Sequence, residues 1–299
     1  MRKIIIPLLV IVAIYACNDQ RVGKAKPVAP QATPPLSEFS DVYTTPVKRT
    51  VYSTNVSDSF TIFQSLPSTY NKDSVKHYPL VILLDANAFF EPMLANAKFN
   101  TFIGDMDECI ITGVGYKNFP AMDSIRSRDY TYPKALPEYE MGLSGGAPAF
   151  KSFLDNELVP QLEKEYKIDT QKIILCGHSL GGYFTLYYLL KSAQENRFVI
   201  KNFISASPSL FYNNRYLFAK EDSIATHQKS MPVKVYISMG SRDMQDSSLK
   251  NILGAFTFQL NMHHYAGLKL RADEYTNFGH IDAALPAFAK GLSFVFGRW

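Results

Sequence analysis

The chain has 299 residues, of which 46% are apolar and 19% are charged, and it is long enough for one large domain or two small ones. This composition is typical of a globular protein and excludes a collagen-like or wholly disordered chain. The net charge of +4 is spread along the chain without a run of five or six like charges, so nothing in the sequence indicates a basic stripe for nucleic acid.

The first 17 residues have the pattern of an export signal. Basic residues near the start are followed by 11 apolar residues, 4–14, and then by Cys17. The apolar run is too short to cross a bilayer as a helix, which takes about 20 residues. A cysteine in this place is typical of lipoprotein signals, in which it becomes the lipidated first residue of the mature chain. We expect Cys17 to be that residue; a plain cleaved signal and an uncleaved anchor are the alternatives.

Residues 18–37 are rich in Pro, Ala, Lys and Gln and cannot bury a core. We interpret them as a flexible tether that holds a domain away from a membrane surface. The chain is therefore expected in a bacterial cell envelope, lipid-anchored on a periplasmic or cell-surface face, with one domain over residues 38–299. The other two cysteines, Cys109 and Cys176, lie in apolar runs, which favours buried free thiols over a disulfide.

Seven segments of the domain have the length and composition of strands. Most are nearly continuous apolar runs, which are typical of strands covered on both faces in a parallel sheet. The predicted strands are residues 59–66, 79–85, 108–114, 172–177, 202–206, 233–239 and 268–275. Helices are predicted between them, at residues 147–166, 180–193 and 281–296, and from an N-cap at Asp246 to about His263. This alternation indicates an α/β fold with a mostly parallel central sheet and helices on both faces.

One stretch, residues 117–146, has no clear strand or helix pattern and is predicted to be a long loop. It holds three prolines and several aromatic residues. A loop of this length in a compact domain is usually functional or disordered, and the aromatic residues argue against disorder.

The strongest chemical signal is the segment Gly-His-Ser-Leu-Gly-Gly, residues 177–182. It follows a predicted strand and precedes an apolar helix, which is the context of a nucleophile elbow. Glycines in such a turn let strand and helix approach closely, and the turn lifts the hydroxyl of Ser179 out of the fold. The backbone N–H of Leu180 then faces the oxygen that becomes negative during acyl transfer. We predict Ser179 as a nucleophile and Leu180 as an oxyanion donor; a purely structural turn is the alternative.

A serine hydroxyl needs a base to act as a nucleophile. After such an elbow the base histidine comes last in the chain, before the final helix, and His280 has that position. The acid is expected after an intervening strand, and Asp243 follows the strand 233–239. It would orient the imidazole and stabilise its charged form. Asp246, Glu274 and a site without an acid are the alternatives.

A second oxyanion donor is expected in the loop after an early strand. The predicted strand 79–85 is followed by Ala86 and Asn87, so the backbone N–H of one of these two residues is the candidate. An ordinary strand end is the alternative.

With these motifs the chain resembles an esterase family of α/β-hydrolases that includes enterochelin (siderophore) esterases, esterase D-like enzymes, feruloyl esterases and mycolyltransferases. The resemblance covers residues 50–299 and implies an α/β-hydrolase fold, with Ser179 as nucleophile and His280 as base. In mycolyltransferase-like members the second oxyanion donor corresponds to Asn87, and members usually carry glycine in place of Ala86. Besides the elbow, the resemblance is carried by Leu-Leu-Asp-Ala-Asn (83–87), Arg-Ser-Arg-Asp-Tyr (126–130), Ser-Gly-Gly (144–146), Ser-Ala-Ser-Pro-Ser-Leu (205–210), Gly-Ser-Arg-Asp (240–243) and Gly-His (279–280).

Four further residues are candidates for contact with a substrate. Arg126 and Arg128 lie in the long predicted loop, where they would bind an anionic or catechol-rich substrate; surface charge pairing is the alternative. Tyr130 is a candidate for an aromatic wall near Ser179, and core packing is the alternative. His178, inside the elbow, is the fourth candidate, again with packing as the alternative.

We therefore predict a serine ester hydrolase that works through an acyl-enzyme and needs no cofactor or metal. By resemblance, a siderophore trilactone ester is the leading substrate class, and feruloyl or acetyl carbohydrate esters are second. An acyltransferase would share every catalytic residue, and a non-catalytic, lipid-anchored binding protein is the alternative from another class. A peptidase on this fold usually has a second domain over the site, for which the chain has no room.

Overall fold

The strands form one eight-stranded sheet in the computed structural model, which describes residues 40–243 and 251–298. β1 to β8 run in chain order over Val47–Ser53, Asp58–Ser65, Tyr78–Leu83, Ile110–Gly115, Ile168–His178, Asn202–Ala206, Lys234–Gly240 and Lys269–Tyr275. Their order across the sheet is β1-β2-β4-β3-β5-β6-β7-β8. β2 is antiparallel to both β1 and β4, and all other neighbouring strands are parallel.

Because the parallel strands point the same way, their carboxyl ends lie along one edge of the sheet. β3 and β5 are neighbours, with Leu83 paired to Cys176. Leu84 extends this contact, since its N–H donates to the Cys176 carbonyl at 2.9 Å. The segments that follow β3 and β5, which contain Asn87 and Ser179, therefore begin side by side.

Helices cover both faces of the sheet. In chain order they are α1 (Ala86–Phe102), α2 (Phe119–Tyr130), α3 (Ala147–Phe153), which runs through a π-helical turn (Leu154–Leu158) into α4 (Val159–Glu165), α5 (Leu180–Glu195), α6 (Tyr212–Ala225), α7 (Ile252–Met262) and α8 (Ala284–Phe296). α1 and α8 share one buried cluster, with Phe90 and Phe288 among its members. α3, α5 and α7 contribute Phe150, Tyr187 and Phe256 to the other. The predicted α/β architecture is confirmed.

The burial of the strands follows their sequence patterns. Every residue of β3, β4 and β6 is buried, as expected for apolar runs covered by helices on both faces. The edge strand β8 has only exposed and half-buried residues, in keeping with its charged sequence. Cys109 and Cys176 are buried free thiols, as predicted.

The prediction of a long loop over residues 117–146 is wrong in its first part, because α2 lies there. The side chain of Asn118 caps this helix by accepting the N–H of Ala121 at 2.9 Å, and Pro120 occupies its first turn. The polar composition of α2 hides it from a search for apolar periodicity.

Three more elements were absent from the sequence predictions, each for a local reason. β1 is an edge strand whose charged residues resemble a loop. α1 contains Pro92, which normally ends or kinks a helix. α6 includes three residues with positive φ, 213–215. The predicted signal, Cys17, the tether and Asp246 lie outside the described residues, and none of the described helices is long and apolar enough to cross a membrane.

The junction of β5 and α5 depends on two glycines. An ideal Cβ at Gly177 would lie 2.2 Å from the carbonyl oxygen of Gly181, and one at Gly182 would lie 2.8 Å from the carbonyl oxygen of Ala206. Real Cβ atoms do not approach backbone this closely. These positions therefore let α5 start directly against β5 and β6.

Substitution of Gly177 by alanine is expected to destabilise the fold by about 3 kcal/mol or more, because the new methyl group overlaps a backbone oxygen of α5. Gly142→Ala is the matched control, since an ideal Cβ at Gly142 has no atom within 4 Å. Thermal unfolding of both purified variants checks this. Equal melting temperatures would contradict the close approach of β5 and α5.

Candidate active site

Ser179 stands alone between β5 and α5 in a strained backbone conformation, with φ 60° and ψ −119°. Such a conformation costs about 1–3 kcal/mol in a residue other than glycine and persists only where neighbours enforce it. Here the Ser179 N–H donates to the Ala206 carbonyl at 3.0 Å, and the Ser179 carbonyl accepts the N–H of Tyr183 at 2.8 Å. The residue is half-buried, which keeps its side chain accessible at the carboxyl edge of the sheet.

His280 and Asp243, predicted as base and acid, meet across the ends of β7 and β8. The Nδ1 atom of His280 lies 2.5 Å from Oδ1 of Asp243, whose side chain is only 3% exposed. A carboxylate accepts at this position, so Nδ1 carries the proton and Nε2 is left as the basic nitrogen. The alternative acid Glu274 is exposed on β8, and no contact joins it to His280 among the described residues.

The imidazole of His280 lies beside the elbow, as its contact with the residue before Ser179 shows. The ring centroids of His178 and His280 are 4.6 Å apart. The described residues contain no hydrogen bond between His280 and the Ser179 hydroxyl, and such bonds in ligand-free enzymes are often long until substrate binds.

The three candidate residues for the two predicted oxyanion donors lie at helix N-termini. Leu180 opens α5, while Ala86 and Asn87 open α1. Within the described ranges, none of their backbone N–H groups has a hydrogen-bond partner, as expected for the first turn of a helix. Two helix N-termini at the ends of neighbouring strands place positive potential where an oxyanion would form.

Local contacts fix the start of α1. The Asn87 side chain donates to the Tyr116 carbonyl at 3.0 Å and accepts the Tyr116 N–H at 2.7 Å, which fixes this residue in the first turn of α1. Ala86 packs against β4 at Gly113. An ideal Cβ at Gly113 would lie 2.6 Å from the Cβ of Ala86, so the missing side chain on β4 accommodates the methyl group on α1.

A buried ion pair joins this turn to α2. Arg126 donates from Nε to Oδ1 of Asp85 at 2.8 Å and from Nη2 to Oδ2 at 2.7 Å. The Asp85 side chain is 2% exposed and that of Arg126 17%. Burial alone would lower the pKa of Arg126, but the charge and hydrogen bonds of Asp85 outweigh it and raise that pKa. The guanidinium therefore stays charged and holds Asp85 at a positive φ of 53° at the N-cap of α1.

The four residues predicted to contact a substrate are buried or paired with carboxylates. Tyr130 is fully buried and accepts the Asp85 N–H at 3.2 Å. His178 is 3% exposed. Arg126 pairs with Asp85, and Arg128 pairs with Asp129 and Asp58 at 2.8 Å each, which favours the charge-pairing alternative. Their burial favours the packing alternative for Tyr130 and for His178.

The sequence predicts no role for Asp85 beyond its place at a strand end and in the segment 83–87 that carries the family resemblance. A charged residue at the end of a wholly apolar strand is the available signal, since a buried carboxylate requires a partner. Nothing in the local sequence identifies that partner as Arg126.

One group of potential metal ligands occurs in the described ranges, where Glu221, Asp222 and His263 have ligand atoms within 4.8 Å of one another. Glu221 already accepts hydrogen bonds from His263 at 2.7 Å, from Gln259 at 2.7 Å and from Tyr265 at 2.5 Å. Its oxygens are thus occupied, and the group is a hydrogen-bond network between α6 and the end of α7.

The sheet order and an elbow at the end of β5, with a histidine–aspartate pair beside it, define the class of α/β-hydrolases that use serine. The sequence profile of the family described as "Putative esterase" matches residues 53–287, and the chain belongs to this family. It is a serine ester hydrolase, as the sequence predicted.

Relatives of known activity support the same class. The ferri-bacillibactin esterase BesA of Bacillus subtilis (strain 168) is 29% identical over 262 residues, which cover 82% of this chain and 88% of that protein. The apo-salmochelin esterase of Escherichia coli O6:H1 is 29% identical over 159 residues, 50% of this chain and 47% of that protein. The crystal structure of the BES protein from Bacillus cereus matches with a TM-score of 0.70 at 27% identity, covering 84% of this chain and 95% of that one.

Substitution of Arg126 by glutamine is expected to lower stability by about 3–5 kcal/mol, because it leaves the Asp85 carboxylate buried without a countercharge. It should also lower kcat/KM for p-nitrophenyl butyrate about 10- to 100-fold, since the turn that carries the oxyanion donors is released. Arg298→Gln is the control. It breaks an exposed pair with Asp107 at 2.7 Å and should cost at most about 1 kcal/mol. Unchanged melting and activity of the Arg126 variant would refute the role of the pair.

Proposed function

We propose that this enzyme hydrolyses the ester bonds of a siderophore, with Ser179 as nucleophile, His280 as base and Asp243 as its orienting acid. The observation that supports the chemistry is the 2.5 Å contact between His280 and Asp243 beside the strained Ser179. The support for the substrate class is the similarity to the ferri-bacillibactin esterase over most of both chains.

The reaction has two halves. Nε2 of His280 takes the proton of the Ser179 hydroxyl while Oγ bonds to the ester carbonyl carbon. The N–H groups of Leu180 and of Asn87 or Ala86 hold the resulting oxyanion. His280 gives its proton to the leaving alcohol as the ester C–O bond breaks, which leaves an acyl-enzyme. Water then loses a proton to His280, attacks the acyl carbon and releases the carboxylic acid, and the proton returns to Ser179.

The polar groups around the site fit hydrolysis of a neutral ester bond. Asp85 pairs with Arg126, and Arg128 pairs with both Asp129 and Asp58. These ion pairs therefore stabilise the fold around the site. The negative charge that develops on the ester carbonyl oxygen is stabilised by backbone N–H groups instead. Asp243 is the carboxylate in contact with the base.

A purified domain of residues 38–299 is expected to hydrolyse a catecholate trilactone and p-nitrophenyl butyrate, and Ser179→Ala should reduce both activities by several orders of magnitude. Asp243→Ala should lower kcat about 10- to 10⁴-fold with little change in KM, because it removes the partner of the imidazole.

Product analysis by mass spectrometry with apo- and iron-loaded trilactone, a feruloyl ester and an added alcohol separates the substrate classes and acyl transfer. Turnover of feruloyl esters with an inert trilactone would refute the siderophore assignment.

We also propose that Cys17 carries the lipid anchor that holds the enzyme at a membrane of a bacterial cell envelope. The support is its place after a short apolar run and before a Pro-rich segment of 20 residues, 18–37. Such a segment keeps the domain clear of the membrane surface.

In a bacterial host with lipoprotein processing, the full chain is expected to take up labelled palmitate and to partition with membranes. Cys17→Ser should abolish the label and release the protein, because the acceptor thiol is absent. Cys109→Ser serves as the control, since that thiol is buried. An equally labelled Cys17 variant would contradict lipidation at this residue.

A further inference from the structure

The residue before the nucleophile links the two halves of the site through its side chain. His178 ends β5, and its Nε2 lies 2.7 Å from the backbone carbonyl oxygen of His280. The two rings are 4.6 Å apart at an interplanar angle of 47°. On its other side, His178 packs edge-to-face on Phe89 of α1, with centroids 5.5 Å apart. The side chain is thus held at both ends while only 3% of the residue is exposed.

The protonation state of His178 follows from its neighbours. Burial, together with the charges of His280 and Arg126, lowers the pKa of the imidazole to about 4, against the raising effects of the hydrogen bond to the His280 carbonyl and of the Asp85 charge. The ring is therefore neutral at physiological pH. A carbonyl oxygen only accepts hydrogen bonds. Nε2 therefore carries the proton of the neutral ring and donates a hydrogen bond to the backbone carbonyl of His280.

The base loop, residues 276–283, needs such a support because it follows an edge strand. Other hydrogen bonds attach it to the segment that follows β7: the Arg242 N–H donates to the Phe278 carbonyl at 2.9 Å, and Asp243 accepts from the His280 side chain. In the described part of the chain, the bond from His178 is the one hydrogen bond between this loop and the strand that carries Ser179. A joint shift of this loop and the segment after β7 would leave the Asp243 contact intact and still move the imidazole away from Ser179.

We propose that His178 is a positioning residue that sets the distance between the base and the nucleophile by anchoring the His280 carbonyl to the end of β5. This inference rests on the proposed roles of Ser179 and His280. His178 itself touches neither substrate nor the transferred proton. Its ring is neutral and so does not repel the imidazolium that His280 becomes in each half-reaction.

The same residue connects the base to the oxyanion side. The backbone carbonyl of His178 accepts a hydrogen bond from Nη2 of Arg126 at 3.3 Å, and Arg126 in turn holds Asp85 before the first turn of α1. Backbone and side chain of one residue therefore attach the elbow to both neighbouring loops.

Three substitutions of His178 test the proposal with p-nitrophenyl butyrate. Glutamine places an amide N–H near the position of Nε2, so kcat should stay within about fivefold of the wild type. Phenylalanine keeps a planar ring against Phe89 but has no donor, and asparagine has a donor too short to reach the carbonyl. Both should lower kcat about 10- to 100-fold with KM changed less than about threefold, the expected cost of a misplacement near 1 Å.

A merely structural role predicts the opposite order, because phenylalanine would fill the buried space better than glutamine. Melting temperatures of all variants separate the two effects, and the comparison of glutamine with asparagine remains if the phenylalanine variant does not fold. Wild-type kcat in the phenylalanine and asparagine variants, with His280→Ala inactive, would overturn this inference and leave the proposed function standing. An active His280→Ala variant would overturn both.

Discussion

The ion pair between Asp85 and Arg126 is the constraint on which the geometry of the site depends. Asp85 lies where β3 becomes α1, and Arg126 lies on α2, 41 residues further along the chain. A buried charge that loses its partner costs about 3–5 kcal/mol, so neither residue can move without the other. The third contact of the guanidinium, to the His178 carbonyl, brings the end of β5 into the same unit. Three segments are thus fixed before a substrate enters, as stabilisation of an oxyanion requires.

The parallel sheet and these side-chain contacts determine different parts of the geometry of the site. The sheet brings the ends of β3, β5, β7 and β8 to one edge. Strand pairing alone does not determine how each following segment leaves that edge. Three side-chain contacts determine these directions: Asn87 with Tyr116, Asp85 with Arg126, and Asp243 with His280. Backbone hydrogen bonds to Ala206 and Tyr183 do the same for Ser179.

Much of this was predictable from the sequence where a local pattern reflects the physical constraint. The buried central strands are apolar runs because both faces are covered, and the elbow is recognisable because its close approach demands glycine at Gly177. The order of Ser179, Asp243 and His280 follows from the order of strands whose ends share an edge. The structure brings Asp243 and His280 into contact as that order predicts.

Other features depend on contacts between residues that are distant in the sequence. Such features could not be predicted from the sequence. The sequence around an arginine in a polar segment does not distinguish contact with a substrate from contact with a buried carboxylate. For this reason the sequence predicts Arg126 as a candidate substrate contact. Tyr130 looks the same as a wall of the site or as part of the core. α1 was hidden by Pro92 and α2 by its polar composition, since the packing that stabilises both is tertiary.

The fit of Ala86 against Gly113 makes the two positions dependent on each other in evolution. Both methyl groups cannot occupy the space between α1 and β4, where an ideal Cβ at Gly113 would also lie 2.7 Å from the Phe90 ring. Glycine at position 113 is therefore required by two neighbours at once, the methyl group of Ala86 and the ring of Phe90. A larger residue on β4 would need changes at both positions of α1, so these three positions should be compared together among relatives.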